Sequence, residues 1–511
     1  EMQRSLVGSE MCIRDRYIAI LVAAMVVATG VRAQQLSLEA VSPGTLASRV
    51  GSNVSATSLS VSGSLDVRDL DFISSKMTSL TTLDLGNASI AAFEGDRPMF
   101  SLSTCRAGEL PRMSLAGLKA TTVVLPSSLT SVGDGALAGS ALTTLTIPSG
   151  VKNIGAGAFA SCTGLTKATI PATVATVGAA VFEGCDKLAS VNFLAPEVPQ
   201  RAFAGCTALK NVTLGNGVTA IGDGAFAGCT GVTGLTFTPT ALRTIGERAF
   251  AGSGIESLDL TECPLRTIGD WAFAGSALKS LAMPAWVPAI GRGAFFDASS
   301  LTSLSGGRGA SEVADATYKG LTAYEGALNP GDDIVEIGRY AFAGASMSEF
   351  HLSGSLDYIG DRAFSGCTAV KRFDGPTIAV VPELGTEVWE GVDQPEVILS
   401  VPGDLIESFA AADQWKEFRI VNSGLDDIAA DTDADNRLLL KGHFEGSALI
   451  VGANVPLTEV RVFDITGRRL AEANAGGALN VALTVDVPRG NIILVSATAE
   501  GGLSGALKIF R

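Results

Sequence analysis

The sequence predicts an α/β-type repeat solenoid followed by a separate antiparallel β-sandwich. Three observations carry this. An eight-residue pattern, I-G-x-x-A-F-x-G, returns every 21 to 25 residues; an L-x-x-L-x-L pattern lies between its copies; and an all-strand text follows an acidic break at Asp426–Asn436. Composition agrees. Of 511 residues, 59 are Gly, 47% are hydrophobic and only 17% are charged, which is too apolar for disorder and rich in tight turns. The net charge of -15 repels phosphate backbones and argues against nucleic acid as a partner. Only two histidines, His351 and His443, leave little room for His-based catalysis.

The front of the chain reads as an export signal. Residues 17–30 (YIAILVAAMVVATG) form an apolar run shorter than the roughly 20 residues of a spanning helix. Arg14 and Arg16 precede it, and Val31-Arg32-Ala33 fits a signal-peptidase site before Gln34. No transmembrane helix is expected in the mature chain. The segment before Tyr17 resembles sequencing-adaptor read-through, so roughly the first 16 residues are set aside.

The repeat has strong copies at Ile154, Ile221, Ile245, Ile268, Ile290, Ile337 and Ile359, and weaker ones at Leu110, Val132, Val177, Val198, Val313 and Leu384. VADATYKG from Val313 falls in phase, so the irregular stretch after Ser305 reads as a degenerate turn. The large apolar position is Phe in nine copies and Leu115, Leu137, Tyr318 or Trp389 in the others. One ring per turn predicts an aromatic column along the core. The Gly after Ile, as at Gly155 and Gly222, predicts either a positive φ or a close backbone approach. Leu142-Thr-Thr-Leu145-Thr-Ile147-Pro148 and its equivalents alternate with period 2 and end on Pro or Gly. They read as one short strand per turn, stacked into a parallel sheet.

These motifs resemble the BspA-like, Treponema-type branch of the leucine-rich repeat family, with parallel strands on the concave face. The resemblance covers Leu110 to Gly391. The segment from Val401 (VPGDLIESFAAADQWKEFRIV) resembles the closing cap of such arrays, a helix ending in W-x-x-F. The resemblance implies a surface protein that binds host matrix, a host cell-surface protein or glycan, or other bacteria.

The acidic run at 426–436 reads as a solvated linker. Asp431, Asp433 and Asp435 alternate as in a calcium loop, but Asn436 and Gly442 stand where that loop needs Gly and Glu, which leaves only weak adventitious binding as the alternative. From Leu438 the chain reads as six strand segments: LLLKGHF, ALIVGA, EVRVFDITGRRLAEA, LNVALTVDV, NIILVSATA and ALKIF. Asp464, Gly467, Gly490, Lys508 and Arg511 stand in a pattern that resembles the type IX secretion sorting domain of Bacteroidetes. Phe463, Arg468 and Ile492 replace that family's Tyr, Lys and Tyr. The resemblance implies export by type IX machinery through the periplasm, then release or attachment at the outer surface. The alternative is a generic accessory β-domain. The expected division is a signal at 1–33, an N-terminal cap region at 34–109, the repeats at 110–391, their C-terminal cap at 392–423, the linker at 424–437 and the sorting domain at 438–511.

Cys162, Cys185, Cys206, Cys229 and Cys367 share one repeat slot with Ser140, Ser253, Ser276, Ala298 and Ala345. That slot reads as small and buried, holding free thiols, with a Cys162–Cys185 disulfide as the alternative. No C-x-x-C pair, G-x-S-x-G, H-E-x-x-H or phosphate-cradling loop occurs, so neither metal nor cofactor is expected. Glu349 and His351 stand two apart on one strand and permit an acid–base pair. Alternation places Glu349, His351, Arg372 and Asp374 on the exposed face of the sheet as the most selective ligand-binding candidates, beyond a hydroxyl-rich stretch from Thr144 to Ser305. The expected function is a non-enzymatic adhesin-like binder. A structural surface-layer spacer is the alternative, and a carboxylate-based glycan hydrolase a weaker one.

Overall fold

The computed structural model describes residues 34–95, 104–237, 240–423, 438, 440–445, 448–464, 468–488, 492–499 and 504–510. The expected signal and the acidic linker lie outside the described residues. The chain divides into two compact units, 1–215 and 216–511. Stacked parallel-strand turns, about 16 in all, make up most of the fold, and helix is scarce.

In the first unit, Gln35–Val41, Ser58–Leu65, Thr82–Asp84 and Thr122–Val124 pair in parallel in that order. The parallel ladder therefore starts well before Leu110. Helices α1 (Leu46–Val50) and α2 (Val67–Lys76) cover its first turns. Asp66 caps α2, accepting from the Arg68 N–H, while Asp69 accepts from the Asp66 N–H at 3.0 Å. Asp69 also accepts from the N–H of Gly44 at 2.8 Å and of Leu46 at 3.0 Å. Three such bonds explain how a carboxylate is tolerated at 2% exposure, and they tie α1 to α2.

Beyond these turns each repeat carries two strands rather than one. Lys167–Ile170, Ser190–Phe193 and Asn211–Leu214 form the first ladder. Glu109–Leu110, Ser131–Val132, Asn153–Ile154 and Thr176–Val177 form a second, ending on the large aliphatic residue of each repeat. Two residues are too few for alternation to reveal. The A-F segments make a third hydrogen-bonded face: the N–H of Leu137 donates to Ala158 O at 2.9 Å, Phe159 to Val181 O at 3.0 Å and Phe182 to Ala202 O at 2.8 Å.

The second unit repeats this plan. Its first ladder falls into two sheets, one of Ser257–Asp259, Ser280–Ala282 and Ser303–Ser305 and one of Ala327–Leu328, Glu349–His351, Arg372–Asp374, Ile398–Val401 and Arg419–Asn422. Val313 pairs with Ile337 in the second ladder, so the irregular stretch is a turn of the array. The aromatic column is present in both units. Phe159, Phe182 and Phe203 stack at 5.5 and 5.7 Å. Phe226, Phe250, Phe273, Phe295, Tyr318, Phe342, Phe364 and Trp389 stack at 5.0 to 5.7 Å.

The Gly after Ile answers the close approach and not the positive φ. A Cβ on Gly155 would stand 2.4 Å from Asp134 N, and one on Gly269 2.6 Å from Glu247 N, so the backbone of the preceding turn fills that space. Positive φ falls two residues later instead, at Gly157 but also at Arg248, Trp271, Tyr340 and Arg362.

The shared slot holds free, buried thiols. Each thiol has a fixed role: Cys185 Sγ donates to Phe159 O, Cys206 to Phe182 O and Cys367 to Phe342 O, all at 3.1 Å. The slot thus satisfies the carbonyl of the ring-bearing residue one turn back. Burial pushes the Cys367 thiol up to about 12, and the bond to Cys162 together with burial pushes Cys185 up as well.

At the closing end, helix α3 (Ile406–Ala411) stops before the tryptophan, and Trp415 and Phe418 follow it in a turn. Trp415 lies 5.1 Å from Trp389 and 5.2 Å from Phe409, and Phe418 5.6 Å from Phe373. The Gln414 amide replaces a missing turn: its Nε2 donates to Gly385 O at 2.8 Å, and its Oε1 accepts from the Val388 N–H at 3.1 Å.

The terminal module is one five-stranded antiparallel sheet of Leu440–Glu445, Ala448–Asp464, Arg469–Thr484, Ile492–Ala499 and Ser504–Phe510. The six segments read from the sequence merge into five because Asn454–Pro456 and Gly476–Gly477 are register shifts inside one long hairpin, not loops. The sheet folds over its own core, including Leu449, Val451, Val460, Val462 and Val495. Its first and last strands meet so closely that a Cβ on Gly442 would stand 2.3 Å from Ile509 Cδ1. No helix among the described residues is long and apolar enough to cross a membrane.

Three outcomes are expected. Gly269→Ala should destabilise by about 3 kcal/mol, because backbone must move. Gly252→Ala, at φ +61 with nothing within 4 Å, should cost about 1 kcal/mol in urea unfolding. Native protein should react with 5,5′-dithiobis(2-nitrobenzoate) at Cys185 and Cys367 only after unfolding, since the thiolate is the nucleophile and these thiols stay protonated at neutral pH.

Candidate functional site

The four candidate residues come together on adjacent strands. Glu349 pairs in register with Arg372, and His351 with Asp374, while the intervening Phe350 and Phe373 point into the core. Strand alternation therefore delivers all four to one face.

Arg372 is matched by carboxylates within the set, and His351 by one outside it. Arg372, 19% exposed, reaches Asp374 Oδ1 at 3.1 Å and Glu349 Oε1 at 3.9 Å. It also donates to Ser400 Oγ at 2.9 Å. The spacing permitted a Glu349–His351 pair, but Glu349 faces Arg372, and His351 Nε2 lies 3.6 Å from Asp332 Oδ1. Asn329 Nδ2 donates to that same Asp332 oxygen at 3.2 Å. The cluster is an oriented set of carboxylates, a guanidinium and an imidazole on an open sheet, suited to hydrogen-bonding a ligand.

Asp332 and Ser400 went unseen in the sequence. Ser400 occupies the position after Asp374 in the ladder register, so extending L-x-x-L-x-L one turn into the cap finds it. Asp332 sits in the Asn329–Asp333 loop of the degenerate turn, where no repeat signal marks it.

The hydroxyl-rich stretch has a different character. Lys167, Asn211, Thr213, Thr236, Ser257, Asp259, Ser303 and Ser305 are exposed, as alternation requires, whereas Thr169, Ser190, Asn192 and Ser280 on the same face are half-buried. The threonines one step before the strands bond the turn behind them: Thr143 Oγ1 donates to Thr121 O at 3.0 Å, Thr166 to Thr143 O at 3.1 Å and Thr302 to Lys279 O at 3.1 Å. Open grooves of about 430 Å³ (lined by Thr144, Lys167 and Thr169) and about 460 Å³ (lined by Asp259 and Glu262) run along this ladder. Another of about 620 Å³ follows the second ladder past Asp270, Arg292, Glu312 and Glu336. Among the described residues no group of three or more His, Cys, Asp or Glu is placed to hold a metal ion.

In the terminal module, Asp464 accepts from the Arg468 N–H at 3.0 Å and pairs with its Nε at 3.1 Å, closing a hairpin. Lys508 is exposed on the last strand. Gly467, Gly490 and Arg511 lie outside the described residues.

The repeats match the family model described as BspA type leucine rich repeat region over residues 109–196, 196–325 and 328–397. No curated protein matches the chain. Similar solved structures include a leucine-rich repeat protein from Bacteroides ovatus, at 20% identity over 71% of this chain and 84% of that one, with a TM-score of 0.45. A leucine rich cell surface protein from Faecalibacterium prausnitzii is also 20% identical, over 58% and 87%, with a TM-score of 0.30. The pneumococcal vaccine antigen PcpA is 13% identical over 77% and 89%, with a TM-score of 0.35.

Arg372→Met should cost about 2 kcal/mol in urea unfolding by leaving Glu349 and Asp374 without their partner. His351→Ala should change stability by under about 0.5 kcal/mol, because its partner Asp332 is exposed.

Proposed function

The chain belongs to the BspA type leucine-rich repeat family, and on that premise we propose that it is a non-enzymatic, adhesin-like binding protein of the bacterial cell surface. The observation that carries this reading is the oriented charge cluster of Glu349, His351, Arg372 and Asp374 on adjacent strands of an open sheet. Such a cluster fixes the orientation of a partner and is not arranged around an enclosed reacting atom. The partner is a host matrix or cell-surface molecule, or another bacterium. Alanine replacement of all four should lower binding of the full chain to its target cells by about tenfold or more in a saturation assay. Unchanged affinity of the folded variant removes the assignment.

The proposal extends to export. The run before Gln34 takes the chain across the inner membrane, and residues 438–511 are read by type IX machinery, with Asp464, Gly467, Gly490, Lys508 and Arg511 as the recognised positions. This draws support from a last strand, Ser504–Phe510, that ends the hydrogen-bonded order of the sheet and pairs in register with Ile492–Ala499. Deleting residues 503–511 in a Bacteroidetes host should leave folded repeats in the periplasm. Normal surface display of that truncated chain overturns the export assignment and leaves the binding one intact.

A further inference from the structure

Trp286 is the most exposed large hydrophobic side chain among the described residues, at 61%, while Trp389 and Trp415 are buried in the aromatic column. It stands in the loop that leaves the first ladder after Ser280–Ala282. Its indole is seated on backbone: a Cβ on Gly309 would lie 2.8 Å from Cδ2 and 3.0 Å from Cε2, so only glycine fits beneath it. The two loops are locked together, Gly307 N–H donating to Pro284 O at 2.8 Å and Arg308 N–H to Ala285 O at 3.0 Å. One face of a rigidly held aromatic ring is thus supported by the protein and the other is open.

The neighbours on this edge are polar. Arg308 flanks the indole in the next turn, and Asp332 and Asp333 follow in the turn after that, all exposed. Gly331 packs against Arg308 O, which sets the two aspartates directly beyond it. Asp332 is oriented by Asn329 and reaches toward His351 Nε2 at 3.6 Å. From Trp286 to His351 the edge crosses three turn spacings, about 14 Å at the usual strand separation.

We propose that this edge is a carbohydrate site, in which Trp286 stacks on the apolar face of a pyranose and Arg308, Asp332 and His351 hydrogen-bond the hydroxyls of the following units of a neutral glycan chain. One indole face matches one sugar ring, and planar carboxylate and guanidinium groups suit adjacent hydroxyl pairs. A protein partner needs roughly 800 Å² of surface on each side, and the residues that flank Trp286 along this edge are charged. The two aspartates disfavour sulfated or sialylated chains. The site deepens the surface-binder reading and rests on it.

The test titrates the full chain with hexasaccharides of mannose, glucose (β-1,3 and β-1,4), xylose and galactose, and with a heparin hexasaccharide and a proline-rich peptide, following heat release and indole fluorescence. W286A and W271A, each checked for an unchanged melting midpoint, serve as variant and control. The expected result is binding of at least one neutral hexasaccharide, weakened about tenfold or more by W286A and unaffected by W271A, whose indole packs on Phe296 at 5.1 Å. Failure of every neutral chain to bind overturns the proposal. So does equal affinity in W286A, or preference for a heparin hexasaccharide or a proline-rich peptide. Adhesion of the full chain to whole cells, measured in parallel, separates the two readings: adhesion that W286A leaves intact sinks the carbohydrate site alone, and no adhesion at all sinks the binder as well.

Discussion

Each turn must bring its backbone into contact with the turn before it on three faces at once. Two parallel strand ladders and a hydrogen-bonded stack of A-F segments impose this, and the tight point that recurs is the glycine after the second strand, where preceding backbone occupies the place of a Cβ. Where a side chain does stand there, at Pro199, the second ladder breaks from the turn before while the A-F bond from Phe182 N–H to Ala202 O persists at 2.8 Å. The rest of the repeat follows from that spacing. Rings one turn apart stack at just over 5 Å because the backbone leaves them no other distance.

The same spacing assigns roles to polar groups. In the second unit an Asp stands two residues after the second strand in alternate turns and bonds forward: Asp223 accepts from Glu247 N at 2.8 Å, Asp270 from Arg292 N at 2.9 Å, Asp315 from Arg339 N at 2.7 Å and Asp361 from Thr386 N at 2.7 Å. Arg292 and Arg339 then reach back to their aspartates at 3.8 and 3.3 Å. The chemical repeat here is two turns long although the backbone repeat is one. Cysteine in the small slot answers a similar need, since its thiol reaches a carbonyl that alanine leaves to other donors.

The array was legible because every turn copies its constraint. The Phe column, the outward alternation and the in-phase turn at Val313 were all visible in the spacing. The second ladder was not, because two residues make no period. The glycine was assigned two alternative causes because a sequence does not distinguish a forbidden Cβ from a required φ; in the structure, left-handed backbone falls on Arg248, Trp271 and Tyr340, where the three ladders over-determine it. The four candidate residues were found by alternation alone. Asp332 and Ser400 were missed because one lies in a degenerate loop and the other in the cap, outside the repeat that served as the guide. The terminal module was read as six strands because glycine and proline mark bends in a long hairpin as readily as they mark loops.

The charge cluster stands next to the closing end of the array, where turns are not interchangeable. Arg372 is held by Ser400, and Ser400 lies in Ile398–Val401, the strand that the closing segment Arg419–Asn422 pairs against. Gln414 and Trp415 seal the same turns by bonding Gly385 O and Pro382 O. An interior turn of a solenoid is supported only by equivalent neighbours, so its surface side chains inherit whatever play the stack has. Here the guanidinium is anchored to a turn that is itself fixed by two tryptophans and a side-chain amide. Charges ordered in advance lose less freedom when a partner arrives. The cap therefore does more than shield the last ring of the core: it stiffens the charged part of the exposed sheet, and specificity is most readily built where the scaffold is stiffest.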